Sequence, residues 1–174
     1  MTSAQPHEPG PLDAGRPRRP TVALRVAVTH AETTRRVDIE LAGAQSVAVE
    51  DGVSTSFPTD QLWPTIRELL PPVGPLREDP QGRPAPEPRE PGPGFVQACE
   101  ASVVIATVVG EGDRLGSVVV RSWLTTADEL WSVEQHGDGS TTIRPQAPGA
   151  VADLVIWDVT GAMEALVRAL EDAS

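Results

Sequence analysis

Apolar and polar residues alternate with period two through much of this chain, and that alternation predicts strands. Thr21–Thr29 sets Val22, Leu24, Val26 and Val28 on one side and Ala23, Arg25 and Ala27 on the other, the pattern of a half-buried strand. A turn over His30–Thr34 leads to Arg35–Leu41, where Val37, Ile39 and Leu41 alternate with Arg36, Asp38 and Glu40. A third strand, Ser46–Glu50, meets a fourth, Val53–Phe57, across Asp51-Gly52, a dipeptide suited to the positive φ of a tight hairpin. The period then lengthens. Leu62, Trp63, Ile66, Leu69 and Leu70 fall at helical spacing, with Thr59 or Asp60 placed to cap and Pro64 in the first turn.

The same order recurs downstream. Phe95–Val109 reads as one long apolar strand, and Glu111–Asp113 turns it into Gly116–Leu124. After a turn at Thr125–Asp128 comes Glu129–Gln135, then the tight HGDGS hairpin and Thr141–Pro145. From about Pro148 to Asp172 the residues Val151, Leu154, Val155, Val159, Ala162, Met163, Leu166 and Leu170 repeat every 3.6 positions and predict one helix. The alternative is a short strand at Val155–Trp157 with a break at Gly161. The expected fold class is α+β: two pseudo-symmetric ββββα repeats, residues 21–70 and 95–174. Each is an antiparallel sheet with a helix after its fourth strand, and Pro58 and Pro145 stand at matching places. A fifty-residue unit with one helix buries little surface alone. The repeats are therefore expected to pack together about a pseudo-two-fold axis.

Composition divides the rest. Of the 18 prolines, five lie in residues 1–20 and nine in residues 71–94. Proline removes a donor and restricts its predecessor, and both stretches are poor in apolar residues. They read as a disordered tail and a disordered, extended linker, with PAPEPREP and RPRRP as candidate docking motifs for a proline-binding groove. Net charge is −11, and residues 95–174 hold four arginines against twelve acids. A surface of that sign repels phosphate, so nucleic acid and anionic membrane are excluded as expected partners, and capture of a basic protein stays open. No apolar run reaches a transmembrane length, and MTSAQPHEPGPLDAG has no signal-peptide pattern. With one cysteine the expected location is cytoplasmic.

Candidate chemistry is sparse. His7, His30 and His136 share no metal-ligand spacing, and Cys99 has no partner in sequence and reads as a small buried residue on the strand beginning at Phe95. Gly110, Gly112 and Gly116 follow a strand, but a strand comes next where a phosphate loop needs a helix, and Glu111 and Asp113 oppose an anion. Lysine, asparagine and tyrosine are absent, which leaves few groups for proton transfer or oxyanion donation. No catalytic residue, cofactor or metal is expected. The tryptophans stand out. Trp63 falls on a helix stripe and reads as core, Trp123 and Trp131 sit on neighbouring strands as a candidate cross-strand pair, and Trp157 lies beside Asp153 and Asp158. Trp123, Trp131 and Trp157 are the candidate partner contacts, because aromatics dominate interface hot spots.

The stretch from Glu100 to Asp172, with paired strands, an acidic turn, a short fourth strand and a terminal helix, resembles the last part of the EspG chaperones of ESX (type VII) secretion. VSTSFPTDQLWPTIRELL, residues 53–70, is similar to the strand-then-helix with a tryptophan that opens those proteins. The resemblance implies a pseudo-two-fold α/β architecture and a cytosolic chaperone that holds helical-hairpin substrates. The expected function is thus a non-enzymatic protein-binding module, a chaperone or adaptor. The alternatives are an acidic immunity or antitoxin-like protein holding a basic partner, and a small-ligand-binding domain with a pocket between sheet and helix.

Overall fold

The computed structural model describes residues 21–111 and 114–172. In chain order the elements are β1 (Thr21–His30), β2 (Thr33–Ala42), β3 (Gln45–Glu50), β4 (Val53–Pro58), α1 (Leu62–Leu69), α2 (Phe95–Ala98), β5 (Ala101–Glu111), β6 (Arg114–Thr125), β7 (Leu130–Gln135), β8 (Thr141–Gln146) and α3 (Ala150–Asp172). The fold class is α+β, as expected. In place of one sheet for each half, all eight strands form one antiparallel sheet in the order β4-β3-β2-β1-β5-β6-β7-β8. The join is the β1–β5 ladder, which runs from Thr21↔Gly110 to His30↔Ala101.

The turns follow from their residues. Asp51 (φ 49°) and Gly52 (φ 81°) both take the left-handed conformation of a two-residue hairpin between β3 and β4. Ala31 and Glu32 do the same between β1 and β2 without a glycine. There the hairpin is fixed by the length of the ladder it closes.

Directly paired residues share a face, so the registers sort the side chains. One face carries Val22, Leu24, Val26 and Val28 of β1, Val37, Ile39 and Leu41 of β2, and Val103 and Ile105 of β5, all buried. Against it pack Leu62, Trp63 and Ile66 of α1 and Val151, Ala152, Val155 and Ala162 of α3. Burying each large aliphatic side chain is worth about 1.5–3 kcal/mol, which makes this face the main stabilising layer. α3 lies over β5 and β1 and touches α1. It is one helix through Gly161, so the strand-and-break alternative for Val155–Trp157 does not form.

Two expectations are corrected. Phe95–Val109 is not one strand: Gly94 (φ 82°) starts the short helix α2, Cys99 ends it, and β5 begins at Ala101. Phe95 is turned onto Trp131, with ring centroids 5.1 Å apart and planes at 61°. Cys99 therefore lies off the strand, half-buried, with its Sγ–H donating to the Phe95 carbonyl at 3.3 Å.

The proline-rich stretch 71–94, read from composition as disordered, makes contacts that composition does not announce. Val73, Pro75 and Leu76 are buried around a 3-10 turn at Gly74–Arg77. Asp79 accepts from Trp63 Nε1 at 3.1 Å and from Arg67. Asp153 of α3 accepts from the Gly82 backbone N–H at 3.0 Å. Arg89 then stands over the Trp131 ring, 4.7 Å from its centroid, and pairs with Glu129. The segment thus runs from the helix-covered face of the sheet to the opposite one.

Candidate functional site

The three tryptophans singled out from sequence go to three different places. Trp123↔Ser132 and Leu124↔Trp131 are the register pairs, so Trp123 and Trp131 are one residue out of step and point to opposite faces. The expected cross-strand pair does not form. Both are 1% exposed, which corrects their reading as partner contacts. Trp123 packs in the helix-covered core. On the other face Trp131 is closed over by Phe95 and Arg89, and its Nε1–H donates to Glu129. Trp157 is 75% exposed.

Trp157 stands on the outer side of α3, a helix of 23 residues and so roughly 34 Å long. Of the buried residues of α3, Val151, Ala152 and Val155 lie in its N-terminal half and Ala162 just past its midpoint. Ile156, Met163 and Val167 follow one another at seven- and four-residue spacing along a flank. Ile156 (42%) and Val167 (51%) are exposed and Met163 is half-buried. An apolar ridge with a tryptophan beside it therefore faces outward on a helix that the sheet already holds firmly.

A second feature lies beside α3. β6 pairs with β7 only at Trp123↔Ser132, Leu124↔Trp131 and Thr125↔Leu130. Beyond that point β7 stays with β8, through Val133↔Ile143, Glu134↔Thr142 and Gln135↔Thr141, and parts from β6. The sheet forks. A groove of about 660 Å³ occupies the fork, with Val120–Trp123 on one lip, Ser132–Gln135 on the other, and Gln146 and Leu154 completing it.

Its electrostatics centre on Arg121. The guanidinium donates from Nε and Nη2 to the two carboxylate oxygens of Asp158 on α3, each at 2.8 Å. The Asp158 side chain is 6% exposed and the Arg121 side chain 35%. That hydrogen-bonded pair holds the Arg121 pKa above its ordinary value, and the nearby Glu134 charge adds to the effect. Trp123 Nε1 is the one buried side-chain polar atom without a hydrogen-bond partner among the described residues. A buried donor left unpaired costs about 1–3 kcal/mol.

The sites of conventional chemistry are scattered. His30 ends β1 and is exposed, and His136 opens the β7–β8 hairpin, where its ring meets Thr142 Oγ1 at 2.7 Å. His7 and Gly112 lie outside the described residues. Burial pushes the Cys99 thiol pKa up, the direction opposite to an activated nucleophile. Among the described residues no three His, Cys, Asp or Glu side chains gather as a metal would require. Nor is any helix among them long and apolar enough to cross a membrane. The fork is the feature that sequence reading missed, and SVVV at 117–120 followed by Arg121 was its only trace. No family model, curated protein or solved structure matches the chain.

Proposed function

We propose that this is a non-enzymatic protein-binding module, a cytosolic chaperone or adaptor that holds a helical segment of its partner against α3. The observation that carries the reading is Trp157, 75% exposed beside the Ile156–Val167 ridge. A large aromatic fixed on a rigid helix loses little entropy on binding and suits the centre of a hot spot. The strand order supports reading the sheet as two four-strand units meeting at β1 and β5, each followed by a helix. That arrangement accords with the resemblance to the chaperones of type VII secretion.

An acidic, immunity-like protein binding a basic partner is the second reading. It is favoured by the charge of residues 95–174, where Arg121 and Arg168 are already paired with Asp158 and Glu164. Both readings exclude nucleic acid as the partner. Affinity purification of wild type and Trp157→Ala in parallel, at low and high salt, separates them. Capture that survives high salt and weakens about thirtyfold in the variant, as loss of a 2 kcal/mol hot spot requires, supports the apolar reading. Capture lost with rising salt and indifferent to Trp157 supports the acidic one.

A further inference from the structure

The outer edges of the sheet carry features that discourage further pairing. β4 is short and polar (Ser54, Thr55, Ser56) and ends at Pro58, and β8 contains Arg144 and Pro145. The inner edge exposed at the fork, Val118–Ser122, has no proline, and its one arginine, Arg121, is held aside by Asp158. Val118, Val119 and Val120 follow one another on β6, exposed by 46%, 39% and 58%, on the length of strand that β7 leaves unpaired. Backbone donors and acceptors along such an edge are a template for another strand.

The groove has the dimensions of that strand. The β6 lip of the groove, Val120–Trp123, accounts for roughly 13 Å of strand at about 3.3 Å per residue. One strand in a sheet occupies about 4.8 Å by 10 Å in section, so a segment of that length fills on the order of 630 Å³. The groove holds about 660 Å³.

We infer that β6 accepts an extended segment of a partner protein as an added strand in the fork, one that alternates apolar with basic residues. The alternation follows from the two faces of β6. Val118 and Val120 lie on the face away from α3 and offer apolar contact to every second side chain. On the helix-covered side, Arg121 is taken up by Asp158, while Glu134 on the opposite lip has no ion pair among the described residues and faces a basic residue best. A carbonyl of the incoming backbone also supplies the kind of acceptor that the orphaned Trp123 Nε1–H lacks. A second copy of this chain fits less well, because it brings another −11 charge to the same place. Residues 1–20 fit poorly too, since their five prolines remove the donors a strand needs.

The site is separate from the Trp157 surface and is tested separately. The probe is a fluorescein-labelled, end-capped seven-residue peptide of alternating valine and lysine, titrated into the full chain by fluorescence anisotropy. Saturable binding is expected. It should weaken at least tenfold when alternate backbone nitrogens of the peptide are methylated, and likewise with Glu134→Lys and with Val120→Lys. Trp157→Ala should leave it unchanged. Amide shifts in the wild-type NMR spectrum should fall on 118–122 and 133–135. The inference is overturned by absence of binding up to millimolar peptide, by equal binding of the methylated peptide, or by shifts that map elsewhere. It is also overturned if the protein alone forms dimers that Val120→Lys abolishes, because the edge is then filled by a second copy.

Discussion

The Arg121–Asp158 pair joins β6 to α3 across the groove, and its two ends sit in different surroundings. Asp158 is 6% exposed in its side chain and Arg121 35%. Removing one partner from a buried pair leaves the other uncompensated, at a cost of about 3–5 kcal/mol when the survivor stays dry. In Arg121→Ala the survivor is the buried carboxylate. With some relief from the groove, a loss of about 2–3 kcal/mol is expected, or roughly 4–12 °C in Tm for a chain of this size. In Asp158→Ala the survivor is a guanidinium already open to water, and about 1 kcal/mol is expected. The double variant removes the stranded charge and should be more stable than Arg121→Ala alone.

Urea unfolding at pH 7 measures all three. Equal losses in the two single variants, or simple additivity in the double one, would refute the asymmetric burial on which the reasoning rests.

Gly149 has φ 87°, and a Cβ there would lie 2.5 Å from the Asp79 carbonyl oxygen, whereas Gly52 at φ 81° has nothing within 4 Å. Thermal melts should show Gly149→Ala losing well over the roughly 1 kcal/mol expected of Gly52→Ala, which carries backbone strain alone. Arg35 donates to both oxygens of Glu50 and holds its carboxyl pKa below the ordinary value. That small contribution is present above the unfolded pKa of about 4.3 and is lost as pH falls through the folded one, so wild type and Glu50→Gln should converge below roughly pH 4 in chemical denaturation. Trypsin should cut after exposed Arg89 while the two pieces co-elute in size-exclusion chromatography, because the β1–β5 ladder joins them; separation of the pieces overturns that account.

The elements were legible because alternation and 3.6-residue spacing are local. Val22–Val28 and Val37–Leu41 point inward as their period demands, and the stripe from Val151 to Leu166 makes one helix. What depends on distant pairing was not. Trp123 and Trp131 looked like neighbours, yet a register one residue out of step sends them to opposite faces. The proline-rich stretch looked unable to order itself because its anchors are elsewhere: Trp63 and Arg67 for Asp79, Trp131 and Glu129 for Arg89. The fork was invisible for a related reason. A strand's sequence shows which side chains turn inward but not how far its partner follows it.

The position of α3 links the stability of the sheet to the surfaces it leaves open. Coming out of β8, this helix lies over β5 and β1, so it covers the seam between the two halves and reaches the fork only at its border, through Leu154 on the groove and Asp158 on Arg121. Val155, 1% exposed on α3, belongs to the core shared by both halves. Shortening it to alanine removes two methyl groups and leaves a small void, a loss of about 1.5–2.5 kcal/mol. If α3 and the β1–β5 ladder make one cooperative unit, that loss falls on the whole molecule. Far-UV circular dichroism and tryptophan fluorescence should then move together to a lower urea midpoint with an unchanged slope. Two separated transitions in Val155→Ala would mean that each half folds by itself and that the seam is a contact between domains. A single shifted transition means that the helix which borders the groove is also the one that holds the sheet together.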